Sequence, residues 1–233
     1  MKKERVDKLL VKQGFAESSA KARALVMSGV VLANEKRIEK PSEEVLPNAE
    51  IRIKGSETEI KYVGRGGLKL EKALSEFHIC PNGYVCLDVG ASTGGFTDCL
   101  LQNGAKKVFA VDVGTNQIVW KLRGDERVEV RENTNARRLK PEDFPEKFDL
   151  IVMDVSFISA TKIFPALLPL LKESGKIITL VKPQFEVEKG EVGAGGIVRE
   201  PEKHEKAVAQ VNDSAARIGL NALNTIESPV LGA

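Results

Sequence analysis

Cys86-Leu-Asp-Val-Gly-Ala-Ser-Thr-Gly-Gly-Phe-Thr-Asp-Cys-Leu-Leu101, followed by Val108-Phe-Ala-Val-Asp-Val113, decides the fold. It reads as a buried strand ending at Asp88, a turn of small residues, a helix opening near Gly95, and a second apolar strand ending at Asp112. In open α/β sheets, ligands bind outside the carboxyl ends of the strands, where glycines let the backbone come close. The spacing Gly90-x-x-x-Gly94-Gly95 is not that of a dinucleotide fingerprint, and Asp88 just before the turn would repel a pyrophosphate. It suits a ligand with a cationic amino-acid tail at one end and a ribose diol at the other. S-adenosylmethionine has that chemistry, with Asp88 expected at its cationic end and Asp112 at its ribose. Close packing of an ordinary strand–turn–helix is the competing explanation for the glycines.

The chain has 233 residues, 42% hydrophobic and 29% charged, which allows a small module plus one larger soluble domain. A net charge of +2 does not by itself argue for nucleic acid, but residues 1–40 hold ten Lys/Arg against five Asp/Glu. Cys80, Cys86 and Cys99 form no C-x-x-C pair and fit a reducing, cytoplasmic setting. With two histidines no metal cluster is expected. The most apolar region, 150–171, is broken by Asp154, Lys162, Pro165 and Pro169, and no secretory leader is read, so no membrane association is expected.

Residues 1–60 read as a small α+β domain, with helices over 5–13 (stopped at Gly14) and from Ser18 or Ser19 to about 28, and strands at 30–32 and 51–53. Residues 61–67, with three glycines, read as a linker. From 68 to 233, strands are expected at 84–88, 107–112, 127–131, 148–154, 176–182 and 222–227, and helices at 68–78, 95–103, 160–171 and 203–219. This alternation implies a largely parallel, Rossmann-like sheet covered on both faces. The four glycines between 190 and 196 read as a mobile loop.

The first fifty residues resemble the alpha-L RNA-binding module through Arg5-Val-Asp7, Leu9-Leu10, Gly14, Ser18 to Arg23, Met27 to Val31 and Lys40-Pro-Ser42. The resemblance implies RNA contacts from Arg5, Lys21, Arg23, Lys36, Arg37 and Lys40; the usual Asn-Gly turn is replaced by Ala33-Asn34-Glu35. Arg65 would extend this basic path. The whole chain resembles the TlyA, or haemolysin A, family of rRNA 2′-O-methyltransferases, with an FtsJ-like catalytic domain. The matching stretches are 64–70, 88–96, 133–137, 154–159 and 181–186. The resemblance implies a class I methyltransferase fold, a cytidine ribose of ribosomal RNA or ribosomal subunits as substrate, and S-adenosylmethionine as cofactor. The donor would be held by Asp88, Gly90, Ala91, Ser92, Gly94, Gly95, Phe96, Asp112, Val113 and Asn135. The family pattern Lys-Asp-Lys-Glu maps onto Lys69, Asp154 and Lys182, with Lys182 assisting as base, Asp154 orienting it and Lys69 beside them. The fourth member falls past Ala233, so the native chain is expected to continue or to be a shortened member; Glu186 is not given its role. A non-catalytic protein binding RNA and cofactor is the alternative function, and a membrane-lytic protein a weaker one.

Overall fold

The computed structural model describes residues 3–13, 15–16, 18–34, 36–47, 49, 51–54 and 61–230. They fall into two units, Met1–Lys61 and Tyr62–Ala233.

In the first unit β1 (Glu4–Arg5) runs directly into α1 (Val6–Lys12), followed by α2 (Ser19–Met27). Ser18 starts α2, its Oγ accepting the Lys21 amide at 3.2 Å and satisfying an N–H that has no partner within the helix. Val6, Leu9, Leu10, Ala22 and Val26 are at most 1% exposed and form the shared core of the two helices. Four short strands follow: β2 (Val31–Ala33), β3 (Lys36–Arg37), β4 (Glu44–Val45) and β5 (Ile51–Ile53). β2 pairs antiparallel with β3 and β5, and β4 with β1. The β2–β3 turn is made at Asn34, whose φ of 48° is a conformation asparagine tolerates. The helix stop expected at Gly14, and Glu35 of the turn, lie outside the described residues.

The second unit opens on Tyr62, which is 3% exposed and packed in the same cluster as Leu70, Phe96 and Cys99. Next to it the Val63 amide donates to Asp98 at 2.9 Å. The stretch expected as a linker is thus built into this unit from Tyr62 onward, and α3 (Gly66–Glu76) begins inside it. A Cβ at Gly67 would lie 2.3 Å from the Tyr62 ring, so small residues here serve packing. The remaining elements are β6 (Val85–Val89), α4 (Gly95–Gln102), β7 (Lys107–Val111), α5 (Trp120–Arg123), β8 (Val128–Arg131), β9 (Phe148–Met153), α6 (Phe164–Leu167), β10 (Leu171–Thr179), α7 (Pro183–Glu186) and α8 (Pro201–Arg217). The five strands lie in the order β10-β9-β6-β7-β8, all parallel. The chain winds outward from β6 through β7 to β8, then crosses back to lay β9 and β10 on the other side. That reversal opens a crevice at the carboxyl ends of β6 and β9. Successive strand side chains point to opposite faces. Val85, Leu87 and Val89 accordingly pack with Phe164, Leu167 and Val211, while Cys86, Val108 and Ala110 pack with Leu70, Leu100 and Leu122.

Three expected elements differ. Residues 222–227 form no strand: they run without regular structure, and Leu223 is 80% exposed, since Asn224 interrupts the face of Ala222 and Ile226, and Thr225 and Glu227 make the face of Leu223 polar. The helix expected over 160–171 is broken into Ala160–Lys162, α6 and Leu168–Leu170, since Pro165 and Pro169 cannot donate to the helical ladder. β10 starts at Leu171 rather than 176, with an irregular register before Lys176, and ends at Thr179. The glycine-rich loop is anchored at its flanks, where Val192 and Val198 pack with Val187 and Ala207 and Glu191 pairs with Lys206 at 2.8 Å, while Gly193 to Gly196 are exposed.

Candidate active site

A cleft of about 330 Å³ opens at the crevice between β6 and β9, within the usual size range of small-molecule sites. Three chain segments bring charge into it: Lys69 from the first turns of α3, Asp154 immediately after β9, and Lys182 immediately before α7. Lys69 Nζ donates to Asp154 Oδ2 at 3.1 Å. Lys182 Nζ lies 2.7 Å from Asp154 Oδ1, an ion pair without hydrogen-bond angles at that oxygen, and donates to Ser156 Oγ at 2.7 Å. Each of the three charged side chains keeps only 17–20% of its exposure. Two lysines share one carboxylate in a poorly solvated place, so that one can pair with Asp154 while the other serves as an amine.

The main chain explains the convergence. The Asp154 amide donates to Val89 at 3.0 Å and the Leu180 amide to Met153 at 2.9 Å, extending the parallel ladder past the strand ends. Gly90, at φ +83°, faces the Asp154 carbonyl, which a Cβ would meet at 2.6 Å. Gly94, at φ +98°, begins α4 with its open side against Leu122, 2.3 Å from where a Cβ would sit. A Cβ on Gly95 would lie 3.0 Å from the Gly67 nitrogen and 3.2 Å from the Gly64 carbonyl. The two glycine-rich runs of the sequence therefore share one cause: they lie backbone against backbone beneath the cleft.

Of the residues expected to hold a donor, Gly90, Ala91, Ser92, Gly95 and Phe96 line the cleft, and Gly94, Asp88, Asp112, Val113 and Asn135 do not. Asp112 is half-buried and accepts the Ser92 amide at 2.8 Å and the Gly114 amide at 2.7 Å, which fixes the turn while leaving lone pairs for a diol. Val113 is 71% exposed. Asn135 caps the turn at Ala136–Arg138 through the Arg137 amide, at 3.1 Å. Asp88 has no exposure; Oδ2 accepts from Thr97 Oγ1 at 2.6 Å and Oδ1 has no partner. Burial pushes its carboxyl up to about 7 against the pull of Thr97. The direct grip on a ligand expected of Asp88 does not match a carboxylate sealed beneath the turn. An unpartnered buried acid under the cleft nonetheless fits a cationic ligand above it, and so do the residues around it.

Thr93, Ser156 and Val230 line the cleft without having been expected. Ser156 was legible in principle, since it stands two residues beyond Asp154 and such residues share a side in extended chain. Phe157 was also missed. It is 92% exposed, holds a φ of 64° that is rare for a bulky residue, and stacks obliquely on Phe185 with centroids 5.4 Å apart. Glu186 is engaged elsewhere, accepting the Ala160 amide at 2.8 Å and the Ser159 hydroxyl at 2.5 Å.

In the first unit Arg5 and Arg23 meet on Asp7. Arg5 binds it bidentately at 3.0 and 2.8 Å, and Arg23 Nε lies at 3.4 Å. Asp7 is 2% exposed, and the hydrogen bond from Arg5 lowers its carboxyl to about 2 against the effect of burial. Lys36 and Arg37 are exposed on β3, the Arg37 guanidinium lying against Gly29; Lys21 and Lys40 are also exposed. Arg65 is exposed at the cleft of the second unit. Among the described residues no cluster could hold a metal ion, and no helix is long and apolar enough to cross a membrane.

Residues 62–233 match the model of the FtsJ-like methyltransferase family, and residues 4–51 match that of the S4 domain. The chain is 42% identical, over 98% of its length and 85% of the relative's, to the 16S/23S rRNA (cytidine-2′-O)-methyltransferase TlyA of Mycobacterium tuberculosis. It is 43% identical to Hemolysin A of Brachyspira hyodysenteriae over 98% of this chain and 95% of that one. A solved structure of a candidate hemolysin from Streptococcus thermophilus superposes with a TM-score of 0.76 at 47% identity, covering all 100% of this chain and 84% of the other. With its switch-point cleft, its glycine turn and these relatives, the chain belongs to the FtsJ-like methyltransferase family and carries an S4 domain ahead of the catalytic unit.

Proposed function

We propose that this protein methylates the 2′-hydroxyl of a cytidine in ribosomal RNA, in the cytoplasm, with S-adenosylmethionine as donor. The observation that carries the reading is the meeting of Lys69, Asp154 and Lys182 in one cleft over the glycine turn. The cofactor would supply an electrophilic methyl on a sulfonium, held by the turn from Gly90 to Phe96 with Asp112 toward its ribose. A ribose hydroxyl is a weak nucleophile, so the protein must orient it and accept its proton as attack proceeds. Lys182, as the neutral amine, is the group for that proton and becomes the ammonium paired with Asp154. Asp154 holds Lys182 and Lys69 in register, and Ser156 fixes the Lys182 amine from its other side. Lys69 orients the hydroxyl oxygen. Confinement of both reactants contributes the largest share of the rate, as in other reactions between pre-aligned groups. The Phe157 ring, turned outward beside this centre, offers a face for a base, and Arg5, Arg23, Lys36 and Arg37 supply charge for RNA phosphates.

The test is methyl transfer from radiolabelled S-adenosylmethionine to rRNA lacking the modification, followed by nuclease digestion. The expected product is 2′-O-methylcytidine. Label on a base, or no label in RNA, would overturn the reading.

A further inference from the structure

We propose that Trp120 is an rRNA contact, its indole stacking on a nucleotide that flanks the target ribose; this rests on the RNA reading above. Trp120 is the chain's one tryptophan and is 83% exposed, while Ile118 and Leu122 on either side are 6% and 1% exposed. Those two anchors seat α5 on the cofactor turn, at 3.2 and 2.3 Å from the position of a Cβ on Gly94. Between them the Val119 amide donates to the Thr93 carbonyl at 3.2 Å, and Thr93 lines the cleft. The backbone that carries the indole is therefore fixed next to the cofactor turn, on an element whose inward residues are fully used. Singly exposed apolar residues are ordinary on protein surfaces. Here Val113, Trp120 and Phe157 all belong to segments leaving the carboxyl ends of β7 and β9, the ligand edge of the sheet. A ribose that reaches Lys69 and Lys182 brings its neighbouring nucleotides to this edge of the sheet, where α5 follows β7 and Phe157 follows β9, the two strands that flank β6. Lys121, the next residue, is exposed and Arg65 is exposed at the cleft. Ring plus cation is the combination that holds single-stranded nucleic acid, whereas the centre of a protein interface is depleted of charge.

A single tryptophan makes the experiment direct. With the intact chain, protein-free rRNA is expected to quench or shift tryptophan emission. Trp120→Ala is expected to raise KM for rRNA about tenfold, leaving kcat, cofactor Kd and melting temperature unchanged, and Trp120→Phe to restore most of the loss. Unchanged KM in Trp120→Ala overturns the inference. So does emission that responds to S-adenosylmethionine alone, which would place the indole in the donor site. Quenching by whole ribosomal subunits but not by protein-free rRNA overturns it too, in favour of a ribosomal protein. Methyl transfer by the wild-type chain in the same assay separates these failures from a failure of the methyltransferase reading.

Discussion

Asp88 shows how one buried atom can matter at a ligand site without touching the ligand. Its Oδ1 has no partner and no exposure, and burial raises its carboxyl from 3.8 to about 7. The unfolded chain releases this proton near 3.8, while the folded protein keeps it until about 7. The folded state thus binds more protons between those values, so stability falls as pH rises through the window, and the penalty is complete above it. Asp88→Asn removes the penalty. Without cofactor the variant should melt a few degrees above wild type at pH 8, and the gap should close toward pH 4; thermal scans at both pH values check this. Cofactor affinity at pH 8 should fall, because the negative charge beneath the turn is lost.

Glu186 and the proline-broken segment before β10 set the element scale. Glu186 closes the N-terminal end of the Ala160–Lys162 turn through Ser159 and Ala160, a capping task rather than a catalytic one. Glu186→Ala should cost about 1 kcal/mol of stability, the usual value of a lost cap. Its kcat should stay within about twofold of wild type, where loss of an acid–base group costs about a hundredfold or more. Denaturant melts and steady-state transfer rates read both. The same elements show what could be read from sequence. Strand–turn–helix order and the parallel sheet were legible because continuous apolar runs and a glycine turn are local signals. Asp154 and Lys182 stood out as charges at expected strand ends, whereas Lys69, on a helix, was reached only through the family resemblance. Packing of the Gly64–Gly67 run against Gly95 was not, because it joins segments about thirty residues apart. Nor was the sealed position of Asp88, which depends on Thr97 one helical turn into α4. The expected strand at 222–227 failed because polar residues interrupt both of its faces, Asn224 on one and Thr225 and Glu227 on the other.

At the scale of the whole molecule, two units divide the work: one carries paired arginines set by a buried acid, the other the chemistry. RNA binding through phosphates releases counterions, so KM for rRNA should rise steeply with salt. Replacing the exposed Lys36 and Arg37 together by alanine should raise KM at low salt and flatten the plot of log KM against log salt by about two, with kcat at saturating RNA unchanged. Titrations from low to physiological salt give that slope. The central claim is that Lys182, set by Asp154, takes the proton from the attacking hydroxyl. Single-turnover methyl transfer by Lys182→Ala, measured alongside its cofactor Kd by calorimetry, tests it most directly. The rate should fall by about a hundredfold or more with Kd within a few-fold of wild type; near-normal transfer by this variant would show that another group takes the proton.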